Sequence, residues 1–283
     1  MRENPQKRIW NWYLENKKQF LFPWRRTRDP YCVLVSEVML QQTQIARVIP
    51  KYEEWLRVFP DARALARAPF PKVLQMWQGL GYNRRARYLK EAAKKVVTGF
   101  GGNIPRDPHV LETFPGIGHY TARAVACFAY GQCEPFLDTN IRRVAIHFLL
   151  YRSKIGTKAI HEADVLEWLG RYEPKRGKRD WYYALMDYGR EVLGGKKDNP
   201  NRRSVHYRTQ SRFEGSRRYV RAKIVAYLLS RKSGAALDDI KNHLSRDPHS
   251  KLFLSGATLS GILRDLKKDN LAVRSNGYWR IAG

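Results

Sequence analysis

Two carboxyl groups and one glycine hairpin carry the chemistry that this sequence offers. Glu37 lies inside the apolar run Val33-Leu34-Val35-Ser36-Glu37-Val38-Met39-Leu40. A carboxyl in such a run is desolvated, which raises its pKa and lets it keep a proton near neutral pH. That makes it a general acid or one half of a buried pair with a nearby arginine. Asp138 opens Leu137-Asp138-Thr139-Asn140-Ile141-Arg142-Arg143-Val144, beside apolar Phe136. On position alone it is a helix N-cap or a charge held at a site. Upstream, Phe114-Pro115-Gly116-Ile117-Gly118-His119-Tyr120-Thr121-Ala122 sets two glycines two apart, after a proline and before a helix-prone run. Glycines there permit a tight turn whose exposed N–H groups can hold a phosphate, although a plain helix connector has the same pattern.

The elements that must position these groups are helices. Ile9 to Gln19 has the spacing of a first helix, Tyr31 to Ile49 that of a long apolar-faced one, and Arg84 to Thr98 carries Ala86, Leu89, Ala93, Val96 and Val97 on one face. Pro50, Pro60, Pro69 and Pro71 punctuate the segments between. Strand-like alternation is scarce before residue 270, so the chain reads as mainly α. Composition changes at Gly194: Lys196 to Lys232 holds 12 Lys+Arg against Asp198 and Glu214 alone. Three apolar periodicities follow, Tyr219 to Leu228, Leu237 to Leu244 and Leu259 to Leu266. Two β-prone stretches, Leu271–Arg274 and Tyr278–Ile281, are joined through Asn276-Gly277. Three helices and a hairpin is the order of a winged helix. The divisions are therefore 1–195, a basic linker at 196–215, and a winged-helix-like module at 216–283.

Charge narrows the partner. The 283 residues carry 53 Lys+Arg against 26 Asp+Glu, a net charge of +27. A folded chain with that excess repels itself unless a polyanion screens it, so DNA or RNA is expected, double-stranded DNA if the resemblance below holds. Hydrophobic residues at 43 % and aromatics at 12 % exclude a disordered basic tail. No apolar run approaches the roughly 20 residues of a membrane helix, and the N-terminal residues have no signal-peptide core. Cys32, Cys127 and Cys133 are too few for a disulfide framework, which fits a reducing cytoplasm. The seven histidines have no metal-ligand spacing, so no protein-held metal is expected.

The hairpin and the Asp twenty residues after Gly118 resemble the helix-hairpin-helix DNA glycosylases, which extrude a base from the duplex and cut its bond to the sugar. Pro23-Trp24-Arg25, Asp29-Pro30-Tyr31, Ser36-Glu37-Val38-Met39-Leu40-Gln41-Gln42-Thr43-Gln44 and Gln78-Gly79-Leu80-Gly81-Tyr82-Asn83-Arg84-Arg85-Ala86-Arg87 narrow the resemblance. From about residue 8 to about 192 the chain is similar to the adenine-specific mismatch glycosylases, the MutY family. That resemblance implies a two-lobed all-α glycosylase domain with the base pocket between the lobes. The N-terminal helix would pack with the helices after residue 140, and residues 25–130 would form the other lobe. By resemblance, Glu37, Asp138, Asn140 and Tyr120 are the catalytic set, while Trp24, Arg25, Leu40, Ile45 and Asp187 surround the base. Gln42 and Tyr82 would enter the duplex near the orphaned base. Gln41, Thr43, Gly116, Gly118, His119 and Thr121 would contact DNA, and Arg84, Arg85, Arg142 and Arg143 would meet phosphates. Tyr120 stands where strand-cleaving relatives have a Schiff-base lysine, so base removal without strand cleavage is implied.

Two departures qualify the resemblance. Family members place four cysteines after the Met-Asp-x-Gly segment for a 4Fe-4S cluster. Here Met186-Asp187-Tyr188-Gly189 is followed by no cysteine, so no cluster and no other cofactor is expected, apart from a monovalent cation that the resemblance implies in the hairpin. Lys196, Lys197, Arg202 and Arg203 would take over the cluster loop's backbone contacts. The tail also differs from the larger domain that helps family members recognise 8-oxoguanine, so adenine opposite guanine joins adenine opposite 8-oxoguanine as substrate. The expectation is a monomeric, monofunctional adenine glycosylase. The alternatives are a thymine or uracil glycosylase acting on G:T or G:U, and a non-catalytic winged-helix regulator.

Overall fold

In the computed structural model, residues 4–152, 159–195, 199–205, 207–209 and 212–283 are described. In chain order they form α1 (Pro5–Asn16), α2 (Pro30–Leu40), α3 (Ile45–Val58), α4 (Ala62–Arg67), α5 (Phe70–Trp77), α6 (Arg84–Phe100), α7 (Pro108–Glu112), α8 (His119–Tyr130), α9 (Thr139–Arg152), α10 (Glu162–Tyr172), α11 (Lys178–Glu191), α12 (Arg217–Leu229), α13 (Leu237–Ser245) and α14 (Gly256–Lys268). A hairpin, β1 (Ala272–Ser275) and β2 (Tyr278–Ile281), ends the chain, its strands antiparallel with Ala272 opposite Ile281. The mainly α expectation holds. Among the described residues no helix is long and apolar enough to cross a membrane.

The chain divides into two compact units. The first comprises residues 1–37, 105–113 and 117–209. Here α1 starts at an Asn4 cap with Pro5 in its first turn, earlier than the periodicity suggests, and hands over to a 3₁₀ turn at Lys17–Phe20. It packs on α11 as expected: Trp10 lies 6.4 Å from Trp181, Trp12 meets Tyr188 edge-on at 5.3 Å, and Gln6 donates to the Tyr172 carbonyl. The lobe boundary needs correction. α8 belongs to this unit, because Phe128 stacks on Tyr183 of α11 at 4.3 Å. So does the cysteine reading: Cys127 and Cys133 are joined in a disulfide across the left-handed turn at Gly131, whose Cα atoms approach to 4.2 Å. Counting cysteines for a framework overlooks a local link of this kind.

The second unit comprises residues 38–104, 114–116 and 210–283. The expected single helix over 31–49 is two helices, since the chain breaks at 41–44 with Gln42 left-handed at φ 55°. Pro50 sits inside α3 instead of ending a helix, whereas Pro71 takes the early α5 position that a missing N–H suits. Trp55 and Trp77 pack edge-on at 5.4 Å as the centre of the α3–α5 core. The three expected C-terminal helices and the hairpin all form. A further bridge pairs Ala235 with Trp279.

Candidate active site

α2 is apolar on every side, with Tyr31, Val33, Leu34, Val35, Val38 and Met39 all buried, so whatever stands at position 37 is taken out of water. Glu37 is 4 % exposed. Burial lifts its pKa from 4.5 to about 7; the Tyr120 hydroxyl, donating to Oε2 at 2.8 Å, opposes the rise, the nearby Asp138 charge adds to it, and Arg25 opposes it. Tyr120 comes from the second position of α8, directly after the hairpin. Its own pKa is pushed well up by burial and by the neighbouring carboxyls, so it stays a donor.

Asp138 caps α9. Its Oδ1 accepts from the backbone N–H of Asn140 at 2.9 Å and of Ile141 at 2.6 Å, and its Oδ2 accepts from Asn140 Nδ2 at 3.1 Å. Burial raises its pKa, and these donors together with Arg143 oppose the rise. The two readings of Asp138 are therefore one: the helix start that makes it a cap also supplies the N–H groups that hold its charge. Asp138 is half-buried as a residue and held by three donors, while Glu37 accepts from the Tyr120 hydroxyl. Burial thus raises both acids, but only Asp138 is met by helix N–H donors that favour its charged form, whereas Glu37 is raised to about 7.

Asn140 is itself held. Arg143 donates to Asn140 Oδ1 at 3.0 Å and to the Gly189 carbonyl at 2.8 Å, which turns the amide so that Nδ2 faces Asp138. A side chain at Gly189 would run into the Asn140 backbone, so α11 reaches α9 here only through glycine. Arg143, expected at a phosphate, braces the site because its guanidinium faces these carbonyl oxygens. Replacing it with alanine removes both bonds and is expected to cost about 1–3 kcal/mol, read as a fall in Tm.

Arg25 and Asp187 also find each other. They form a bidentate pair at 2.6 and 2.9 Å, Asp187 is wholly buried, and Arg190 approaches it at 3.4 Å. The expected contact of Asp187 with a base amine is corrected: both its oxygens are taken by Arg25, whose guanidinium lies 4.3 Å from the centre of the Tyr183 ring. Trp24 is buried against Phe22 at 5.3 Å. Thr121, expected at DNA, has its side chain buried in α8, while His119 is exposed and sits 3.2 Å from Glu112. Arg142 pairs with Glu162 at 2.9 Å, which takes its charge into an intramolecular pair. Arg202 and Arg203 are exposed on a 3₁₀ turn; Lys196 and Lys197 lie outside the described residues.

In the second unit, Leu40 and Ile45 are half-buried, as is Gln41, and Gln42 is exposed. Gly116 takes φ 72° with Tyr88 where a side chain would be, so the hairpin turn requires glycine, while Gly118 is an extended N-cap of α8. Arg84 is largely exposed, but Arg85 is not the surface contact its sequence suggests. It is 9 % exposed and donates to the carbonyls of Val38, Met39, Leu80 and Gly81 and to Thr43 Oγ1, at 2.7–3.1 Å. Thr43, expected at DNA, is used inside this knot, its hydroxyl donating to the Leu80 carbonyl. Arg85 thereby ties the turn carrying Gln42 to the turn carrying Tyr82. Arg85→Ala leaves several buried carbonyls unpaired and is expected to cost roughly 3 kcal/mol or more, read as a fall in Tm.

Comparison with known proteins gives the family. Residues 35–170 match the family described as HhH-GPD superfamily base excision DNA repair protein. The chain is 41 % identical over 184 residues to an adenine DNA glycosylase of Mycobacterium tuberculosis, covering 64 % of this chain and 59 % of that protein. It is 33 % identical over 196 residues to a thymine-DNA glycosylase of Aeropyrum pernix, covering 68 % of this chain and 86 % of that one. The chain belongs to the HhH-GPD superfamily.

Glu37, Tyr120, Asp138 and Asn140 all fall within the matched HhH-GPD residues, whereas Trp24, Arg25, Asp187 and the C-terminal module fall outside them. The human adenine DNA glycosylase is 45 % identical over 143 residues, 47 % of this chain and 26 % of that protein. The chain thus spans about a quarter to three fifths of the length of these adenine glycosylases. Among solved structures, a thermostable thymine-DNA glycosylase aligns with TM-score 0.54 at 27 % identity, covering 65 % of this chain and 84 % of that one. An endonuclease III–DNA covalent intermediate shares the fold, with TM-score 0.52 at 20 % identity, over 70 % and 91 % of the two chains. The iron–sulfur cluster that the MutY resemblance implies does not fit this chain: it has three cysteines, and two are bonded to each other.

Proposed function

We propose that this protein is a monofunctional DNA glycosylase that removes adenine mispaired with guanine or 8-oxoguanine by hydrolysis of the N-glycosidic bond. One observation carries the reading: a buried carboxyl that holds its proton to about pH 7, hydrogen-bonded by Tyr120 and electrostatically coupled to an Asp held by helix N–H groups. In this reaction Glu37 gives its proton to adenine N7, which turns the base into a neutral leaving group. The C1′–N9 electrons leave with adenine, and the positive charge that develops on the sugar is stabilised by Asp138. Water then adds to C1′ and returns its proton to the carboxylate pair. Asn140, locked by Arg143, orients Asp138. Tyr120 has no amine to form a Schiff base, so the abasic strand stays intact.

Adenine is favoured by the Ser36-to-Gln44 string and by relatives of 41–45 % identity named adenine DNA glycosylase. The second reading, removal of thymine from G:T, is supported by the thymine-DNA glycosylase of which this chain covers 86 %. Duplexes bearing single A:8-oxoguanine, A:G, G:T and G:U pairs, incubated with the protein and then split into samples with and without alkali, separate them. Alkali-dependent cuts at adenine are expected. Cuts confined to G:T or G:U would transfer the assignment to the second reading, and binding without any base release would leave a DNA-binding regulator.

A further inference from the structure

Tyr82 sits in a left-handed turn, φ 48°, between Gly81 and α6. That conformation is strained for a non-glycine residue, so surrounding contacts must hold it. Arg85 supplies one contact, its guanidinium 5.6 Å from the centre of the Tyr82 ring and bonded to the Leu80 and Gly81 carbonyls. A second comes from a residue 136 positions away. Arg218, near the start of α12, lies 5.2 Å from the centre of the same ring and donates to the Tyr82 hydroxyl.

That contact belongs to a larger junction within the second unit. Asp269, at the end of α14, pairs with Arg84 of α6 at 3.5 Å and with Arg221 of α12. Arg87 of α6 donates to the Asn270 carbonyl at 2.6 Å. The first turns of α6 are thus fastened to α12 and α14 at several points, and Arg218 is delivered to Tyr82 by that fastening. Tyr82 nevertheless keeps 38 % of its surface open. The ring is thus held by two guanidinium groups in a residue that is still exposed.

We infer that the C-terminal module is part of the duplex-entering site: Arg218 is a positioning residue that fixes Tyr82 for insertion beside the base left unpaired. A guanidinium on the ring also brings a positive charge to the adjoining phosphates, and it lowers the entropy that Tyr82 would lose on insertion. The inference rests on the reading of Tyr82 as the residue that enters DNA.

A double-mutant cycle with the full chain tests it. Arg218→Ala removes the contact, and Tyr82→Asn removes the ring while keeping a residue that tolerates the left-handed turn. The probes are a duplex holding a stable abasic-site analogue opposite guanine, which needs no chemistry, and the matched duplex. Arg218→Ala is expected to weaken binding to the abasic duplex about tenfold and to the matched duplex by less than about threefold. In the Tyr82→Asn background the further loss from Arg218→Ala should vanish. Equal losses on both duplexes that add in the double variant would make Arg218 a mere phosphate contact and overturn the inference. Tighter binding by Arg218→Ala would overturn it too, marking the contact as a cover over Tyr82. Base release by the wild type is measured alongside. Its absence would sink the glycosylase reading, while the cycle on the abasic duplex would still decide the role of Arg218.

Discussion

Asp138→Asn is expected to reduce single-turnover base release at least about 10³-fold, some 4 kcal/mol of transition-state stabilisation, while leaving the protein folded. The two effects separate because Asp138 has two tasks. As the cap of α9 it accepts from the Asn140 and Ile141 N–H groups, and an asparagine oxygen can accept the same bonds at little cost. In its proposed task as counter-charge to the sugar it is replaced by nothing. The Tm should stay within a few degrees of wild type, and affinity for duplex should persist. A variant that loses activity by unfolding, or that keeps within tenfold of the wild-type rate, would remove Asp138 from the chemistry.

Glu37→Gln is expected to act in the opposite sense on activity and stability. General-acid catalysis is worth about 10²–10⁴-fold, so base release should fall by that range. Stability follows from the shifted pKa. The folded state holds the Glu37 proton up to about pH 7, whereas the unfolded chain releases it near 4.5. The native state therefore binds more protons across that window, and stability declines as pH rises from 4.5 to 7. Above pH 7 the full penalty, on the order of 3 kcal/mol, is in place. Glutamine carries no charge to bury. Glu37→Gln should raise the Tm at pH 8 and change it little at pH 4, measured by calorimetry in both buffers.

Much of this site was legible in the sequence because it depends on short-range pattern. An apolar run around Glu37 announces desolvation, and burial in the fold pushes its pKa up to about 7. Gly116 and Gly118 announce a turn, and the left-handed φ at Gly116 with Tyr88 packed against it is the reason. The arginines were not legible. In a chain of net charge +27, Arg84, Arg85, Arg142 and Arg143 all read alike as phosphate contacts. Whether a guanidinium faces solvent, as Arg84 largely does, or a cluster of carbonyls, as Arg85 does, is decided by the approach of residues about 40 positions apart. Asp187 is similar, because its partner Arg25 is 162 residues upstream. The break between α2 and α3 has no glycine or proline to mark it. A left-handed glutamine is held by tertiary contacts and leaves no local signature. The junction of Tyr82 with Arg218 spans 136 residues and two regions that composition separates.

The central claim is that Glu37 works as a protonated acid. The pH dependence of single-turnover base release from an A:G duplex tests it most directly. The rate should fall roughly tenfold per pH unit above about pH 7, as the proton is lost. Glu37→Gln should show a low rate with no such fall. A wild-type rate that stays level through pH 9, or a fall that persists unchanged in Glu37→Gln, would contradict the account.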